Sequence, residues 1–221
     1  MTQKSLPLHL TLRRLTVAAA LCAAAAANAT ITFVSSAATA PFSTASKDTF
    51  SDLAINSMLP DLAITRSLGS FRYTLGTTFG DTANSGLYVV PAAGTGAVST
   101  GWYADSLVFT LLSSNVLGFG GNFFGTNILG EVASGGMRIT VTDTAGTSLT
   151  QTIAGGALTS FAGFVSDVPL RLVTVSITTP NTGVWASADN ILITSAVPEP
   201  SSWILLLAGT AALRLRAQRR G

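Results

Sequence analysis

Between residues 30 and 196 the chain advances in short apolar or alternating runs, each stopped by Gly, Asn, Asp, Ser or Pro. Residues that favour turns punctuate runs too brief for stable helices, which is the signature of strands. Ten such runs stand out: Ile31–Val34, Phe71–Leu75, Leu87–Val90, Leu107–Leu112, Val116–Phe124, Met137–Thr142, Ser148–Ile153, Phe161–Val165, Leu170–Ile177 and Ala188–Ile193. Val, Ile, Thr and Phe dominate them, as a half-buried pleated surface requires. Two alternate cleanly. Val173, Val175 and Ile177 fall on one side with Leu172, Thr174 and Ser176 on the other, and Met137, Ile139 and Val141 form a second inward row. Asp143 to Gly146 then reads as a hairpin turn into Ser148–Ile153. The one helical candidate is Ser51–Leu62, where Leu53, Ile55, Leu59 and Leu62 could share a face under a Ser51 or Asp52 cap; Pro60 breaks it early, and a loop is the equal alternative. The fold expected is all-β: an antiparallel two-sheet sandwich, jelly-roll-like, with helices only at the chain's two ends.

Those ends are of a different kind. Residues 1–29 run from a basic stretch (Lys4, Arg13, Arg14) through an apolar core into Ala27-Asn28-Ala29. That order is a secretory signal with an A-x-A site, and cleavage is expected after Ala29. Cys22 lies inside the apolar core behind Leu21, where a lipid acceptor would want a small residue. Residues 197–221 open with Pro198-Glu199-Pro200, continue through the apolar stretch Trp203–Leu213 and finish with Arg214, Arg216, Arg219 and Arg220. The prolines hold the backbone extended for a processing enzyme, and the arginines stop transfer and stay cytoplasmic. As a helix the apolar stretch is roughly 16 Å long at ~1.5 Å per residue, against a hydrocarbon core of ~30 Å. Spanning would require the first arginines to snorkel, which suits a transient intermediate better than a permanent anchor.

Motif, short apolar helix and terminal Arg cluster, in that order, resemble the PEP-CTERM sorting signal. The resemblance covers only the tail. It implies recognition by an exosortase after export by the general secretion machinery, transient inner-membrane insertion, and delivery to the outer surface or the extracellular biofilm matrix of a bacterium that makes exopolysaccharide.

The domain at residues 30–196 carries five basic residues against nine acidic ones, a net of −4, so the whole-chain charge of +2 belongs to the ends. No basic footprint for nucleic acid remains. The only histidine is His9 and the only cysteine Cys22, both within the signal. A mature domain therefore has no His base, no His or Cys metal ligand, no Cys nucleophile and no disulfide. A hydrolase would have to pair Asp residues or Glu131, and no such pair sits in a recognisable motif. No enzymatic activity is expected.

Two features suggest binding. Asp189-Asn190 precedes the final apolar run and reads either as a structural Ca²⁺ site, completed by oxygens near the mature N-terminus, or as a turn or bulge. Trp102, Tyr103 and Trp185, with Tyr88, could form a platform on which sugar rings stack; the alternative is core or rim packing. The glycine-rich Leu117–Gly125 lacks the basic residue and helix of a phosphate loop, and its glycines point to a bulge or close backbone approach. The expected role is structural or adhesive at the cell surface, with a carbohydrate-binding module for exopolysaccharide as the alternative.

Overall fold

A computed structural model of the protein describes residues 29–59, 62–79, 86–92, 95–179 and 183–195; residues 1–28 of the expected signal and the whole sorting tail, with their expected helices, lie outside these. Fifteen strands occur among the described residues. The first five are β1 (Ile31–Val34), β2 (Ser46–Asp48), β3 (Ser57–Met58), β4 (Ala63–Leu68) and β5 (Phe71–Thr77). Then come β6 (Leu87–Ala92), β7 (Thr95–Thr100), β8 (Leu107–Leu111), β9 (Gly118–Thr126) and β10 (Val132–Ala133). The last are β11 (Met137–Asp143), β12 (Ser148–Ile153), β13 (Phe161–Ser166), β14 (Leu170–Ile177) and β15 (Trp185–Thr194).

They form two antiparallel sheets packed as a sandwich. The nine-stranded sheet runs β1-β13-β9-β15-β7-β6-β3, with β10 on β9 and β2 on β15; the six-stranded sheet runs β12-β11-β14-β8-β5-β4. All ten expected runs are strands, with shifted ends in several: the run expected from Val116 begins at Gly118, and the last strand begins at Trp185 rather than Ala188.

Ser51–Leu62 is not a helix. Turns occupy residues 51–56 and lead into β3, with residues 60–61 outside the described set. Phe50 and Asn56 hold positive φ values of 53° and 59°, which an α-helix excludes. The Asn56 and Leu59 N–H groups donate to the Val89 and Leu87 carbonyls, so this segment spends its donors on sheet pairing.

The six-stranded sheet alternates as its sequence does. Tyr73, Leu75, Leu107, Phe109, Met137, Ile139, Val141, Val173 and Val175 are all fully buried. They meet Phe119, Phe123, Phe164, Ala186, Ala188, Ile191 and Ile193 from the nine-stranded sheet. An aromatic spine crosses the interface: Tyr73 to Phe109 at 6.0 Å, Phe109 to Phe119 at 5.2 Å, and Phe119 to Phe123 at 6.5 Å between ring centroids.

The central strands of the nine-stranded sheet are buried on both faces. Eight of the nine residues of β9 are buried. Their outer side lies under two covers: Phe42, in a 3-10 turn at Phe42–Thr44, packs with Val165, Leu192 and Phe161, while Leu158 packs on Val90, Ala97 and Phe124. The glycines make these close approaches possible. A Cβ on Gly120 would stand 2.9 Å from the Phe161 ring and 3.1 Å from the Ala162 carbonyl oxygen, and one on Gly163 would stand 2.5 Å from the Phe42 ring.

A four-residue cluster clasps the two sheets at one edge. Arg66, at an inward position of β4, donates from Nε and Nη2 to Asp48 of β2 at 2.9 and 2.7 Å, and from Nη1 and Nη2 to Asp52 at 2.6 and 2.8 Å. Its guanidinium lies 5.4 Å from the centroid of the buried Phe50 ring. The Tyr73 hydroxyl donates to Asp48 Oδ2 at 2.7 Å. Burial alone would raise the Asp48 pKa, but the Arg66, Tyr73 and Phe50 donors outweigh it and hold the carboxyl below its ordinary value. Burial and the Asp48 charge push Tyr73 upward.

Candidate functional site

Register brings the candidate site together on the outer face of the nine-stranded sheet. Met58 pairs with Tyr88, Tyr88 with Ser99, Ser99 with Ser187, and Trp185 with Thr126. Directly paired residues point to the same side, so these residues share one surface across five strands. All of them but Ser187 line an open groove of about 340 Å³, with Tyr88, Met58, Ile128 and Trp185 around it and Ser99 and Thr126 among its polar lining. The Leu158 cover ends beside this groove, since Val90 belongs both to the cluster under Leu158 and to the groove's lining.

Three buried hydroxyls form a closed ring beside the groove. Ser99 Oγ and Thr126 Oγ1 are 3.3 Å apart, Thr126 Oγ1 and Ser187 Oγ 2.8 Å, and the Ser187 hydroxyl donates to Ser99 Oγ at 3.0 Å. Each hydroxyl has one proton and two lone pairs, so the ring uses its donors and keeps spare acceptor capacity. Thr100 also lines the groove, and its buried Oγ1 has no hydrogen-bond partner. Asn127 shapes the lip: its Oδ1 accepts the Leu129 and Glu131 N–H groups at 2.9 and 3.0 Å, leaving Ile128 78% exposed. Among the described residues no charged side chain lines the groove.

The three expected aromatics converge. Trp102 stacks on Tyr103 with centroids 4.6 Å apart, and Tyr103 meets Trp185 edge-on at 6.4 Å. Tyr103 is half-buried beside both tryptophans; Trp185 and the 37%-exposed Tyr88 both line the groove, while Trp102 and Tyr103 stand outside its lining. The hydroxyl ring carries no mark in the sequence, because isolated Ser and Thr residues are ordinary on strands.

Asp189-Asn190 does not open the last strand; it lies inside β15 as a β-bulge. The β15–β9 register shifts between Asp189 and Leu192, and Asn190 has a φ of 52°. Asn tolerates this left-handed region better than most residues. Both Asp189 oxygens turn to the bulge itself, accepting the Asn190 N–H at 2.6 Å and its Nδ2–H at 2.9 Å. Burial, assisted by the Asp48 charge, raises the Asp189 pKa against the Asn190 N–H and Lys47. The extra residue keeps Ile191 and Ile193 in the core and marks where β15 exchanges β7 for β2 as a neighbour. Among the described residues no group of three or more His, Cys, Asp or Glu side chains gathers as a metal site. Ala29 lies two residues before the start of β1, whereas Ala27, Pro198, Glu199, Pro200, Arg214, Arg216, Arg219 and Arg220 lie outside the described residues.

Residues 196–220 match the PEP-CTERM protein-sorting motif. The motif implies an exported protein, sorted to the cell surface and processed by exosortase. No curated protein matches the chain. Among solved structures, that of TmCBM61 in complex with β-1,4-galactotriose is similar at 17% identity and a TM-score of 0.27, over 55% of this chain and 87% of that one, a likeness too distant to transfer any residue's role.

Proposed function

We propose that this chain, carried to the cell surface by its PEP-CTERM motif, is a non-enzymatic, adhesive component of the extracellular matrix that holds neutral exopolysaccharide in the Tyr88–Trp185 groove. The observation that carries this reading is the groove's lining: aromatic faces, buried hydroxyls and, among the described residues, no charge. The apolar C–H face of a sugar ring packs on an aromatic side chain, while its hydroxyls exchange hydrogen bonds with a polar wall. A neutral ligand enters without stripping water from any ion, and an anionic polymer finds no cation to meet it. Among the described residues no carboxylate lines the groove to act as acid or base in bond cleavage. The jelly-roll-like description is part of the same proposal, supported by the chain's repeated switching between sheets, as at β8 to β9 and β13 to β14.

Exported protein would be titrated against neutral and anionic polysaccharides, including those of the producing bacterium. The expected result is binding to a neutral polymer that weakens about tenfold, or ~1.4 kcal/mol, in Trp185→Ala and in Tyr88→Ala. Binding to none of the neutral polymers, or undiminished binding by both variants, would overturn the reading.

A further inference from the structure

β1 is the outermost strand of its sheet and only four residues long. Its beginning is held by more than the ladder. Asp167, the first residue after β13, accepts the Thr30 backbone N–H on Oδ1 at 2.8 Å and the Thr30 hydroxyl on Oδ2 at 3.2 Å. The Asp167 N–H donates back to the Thr30 carbonyl at 3.4 Å. One side chain thus grips one residue by two different groups, just before the first register pair, Ile31 with Ser166.

Thr30 is also the residue that follows the Ala27-Asn28-Ala29 cleavage signal. Hydrolysis of the Ala29–Thr30 bond adds one water, leaving a carboxylate on Ala29 and a protonated amine on Thr30. The nitrogen that donates to Asp167 as a neutral amide would then carry a full positive charge.

We propose that Asp167 is the receptor for the new N-terminus: signal cleavage after Ala29 turns an amide contact into an ion pair that fastens edge strand β1 to β13. The proposal rests on residues 1–29 being a removable signal and is independent of glycan binding. Cleavage at this bond puts the new amine on the nitrogen from which Asp167 already accepts. Cleavage two residues earlier would place the amine roughly 7 Å further along an extended chain, beyond reach of the carboxylate. Thr30 is exposed, so the ammonium keeps water on its remaining protons and incurs little desolvation. A charged hydrogen bond is shorter and stronger than a neutral one, and at an exposed site its net effect is modest. The expected consequence is an edge strand that frays less once processing is complete.

The sign with pH follows. An α-amine whose folded pKa lies above its unfolded value contributes stability that is fully present below the unfolded value, about 7.7–8.0, and lost as pH rises through the folded one. The chain suits a direct measurement, because Lys4 leaves with the signal and the processed chain keeps two amines, the α-amine and Lys47.

The full chain would be produced with its own signal in an exporting bacterium, and the first residue of the product identified by mass spectrometry. The amines would then be reductively methylated with ¹³C and titrated by NMR in wild type and in Asp167→Asn. The expected result is Thr30 as first residue and an α-amine pKa about half a unit or more above the ordinary 7.7–8.0 range, returning to that range in Asp167→Asn. A product retaining residues 1–29 would overturn the signal reading and the proposal together. Another first residue would overturn the cleavage site while leaving export intact. Thr30 first with an ordinary α-amine pKa in wild type would overturn the ion pair, even if Asp167→Asn does not fold.

Discussion

The two sheets use their outer faces in opposite ways. On the six-stranded sheet every second residue meets water: Arg72, Arg138 and Arg171 are exposed, and Thr140 with Thr150 and Thr142 with Ser148 pair their hydroxyls at 2.9 and 2.8 Å. On the nine-stranded sheet the outer faces of β9, β13 and β15 disappear under the Phe42 turn and the Leu158 loop. The first surface is maintained by polar side chains over water, the second by glycines that let aromatic rings sit against backbone. The groove lies where the second arrangement stops, past Val90 at the margin of the Leu158 cover. Covering most of a sheet leaves its uncovered remainder chemically distinctive, and that remainder carries the aromatics.

Three substitutions would sharpen or break this contrast. The largest effect is expected at the clasp joining the sheets. Arg66→Ala strands the buried Asp48 carboxylate and should cost about 3–5 kcal/mol, measured by denaturant unfolding; a cost below about 1 kcal/mol would place the clasp among ordinary surface ion pairs. The same pair governs the acid limb. Asp48 has a folded pKa below its unfolded value of about 3.9, so its contribution is present above that pH and lost as pH falls through the folded value. Asp189, with its raised pKa, works in the opposite direction and favours the fold as it protonates. Stability of the wild type should therefore decline below about pH 4, and that decline should flatten in Arg66→Ala.

A smaller loss is expected from refilling the doubly buried sheet. Gly120→Val would press on the Phe161 ring and the Ala162 carbonyl and should cost about 1–3 kcal/mol; a neutral result would mean that the outer cover yields easily. The smallest effect belongs to the wet face, where Thr150→Ala loses one exposed hydroxyl pair and should change stability by no more than about 0.5 kcal/mol. If Thr150→Ala cost as much as Gly120→Val, the two faces would not differ as described.

What the sequence reveals follows the same division. Met137–Thr142, Ser148–Ile153 and Leu170–Ile177 are legible because one of their faces is wet, and alternation is the direct trace of that condition. β4 escapes notice although Ile64, Arg66 and Leu68 alternate, because the middle inward residue is a charge whose partners lie on another strand and a distant turn. β7 hides in small residues, and β3 and β10 are two residues each, too short to show any period. The helical spacing of Leu53, Ile55, Leu59 and Leu62 is real in the sequence, but Asp52 is taken by Arg66 and the backbone donors that follow are taken by β6. At the site, the aromatic residue types are legible and their meeting is not. Trp185 joins Tyr103 and Tyr88 only through pairing registers, which turn on the bulge at Asn190 and on strands without alternation.

The placement of β15 has a mechanical consequence. It is the central strand of its sheet, bonded to β9 along one side and to β7 and then β2 along the other. The sorting tail continues in sequence from the end of this strand. Any pull applied to the protein through its C-terminal end, during sorting or at the surface, acts as tension along β15. That tension shears ladders on both flanks together, whereas a tether on the four-residue edge strand β1 would open one short ladder bond by bond. The end that carries the sorting motif thus leaves from the strand best placed to resist being drawn out.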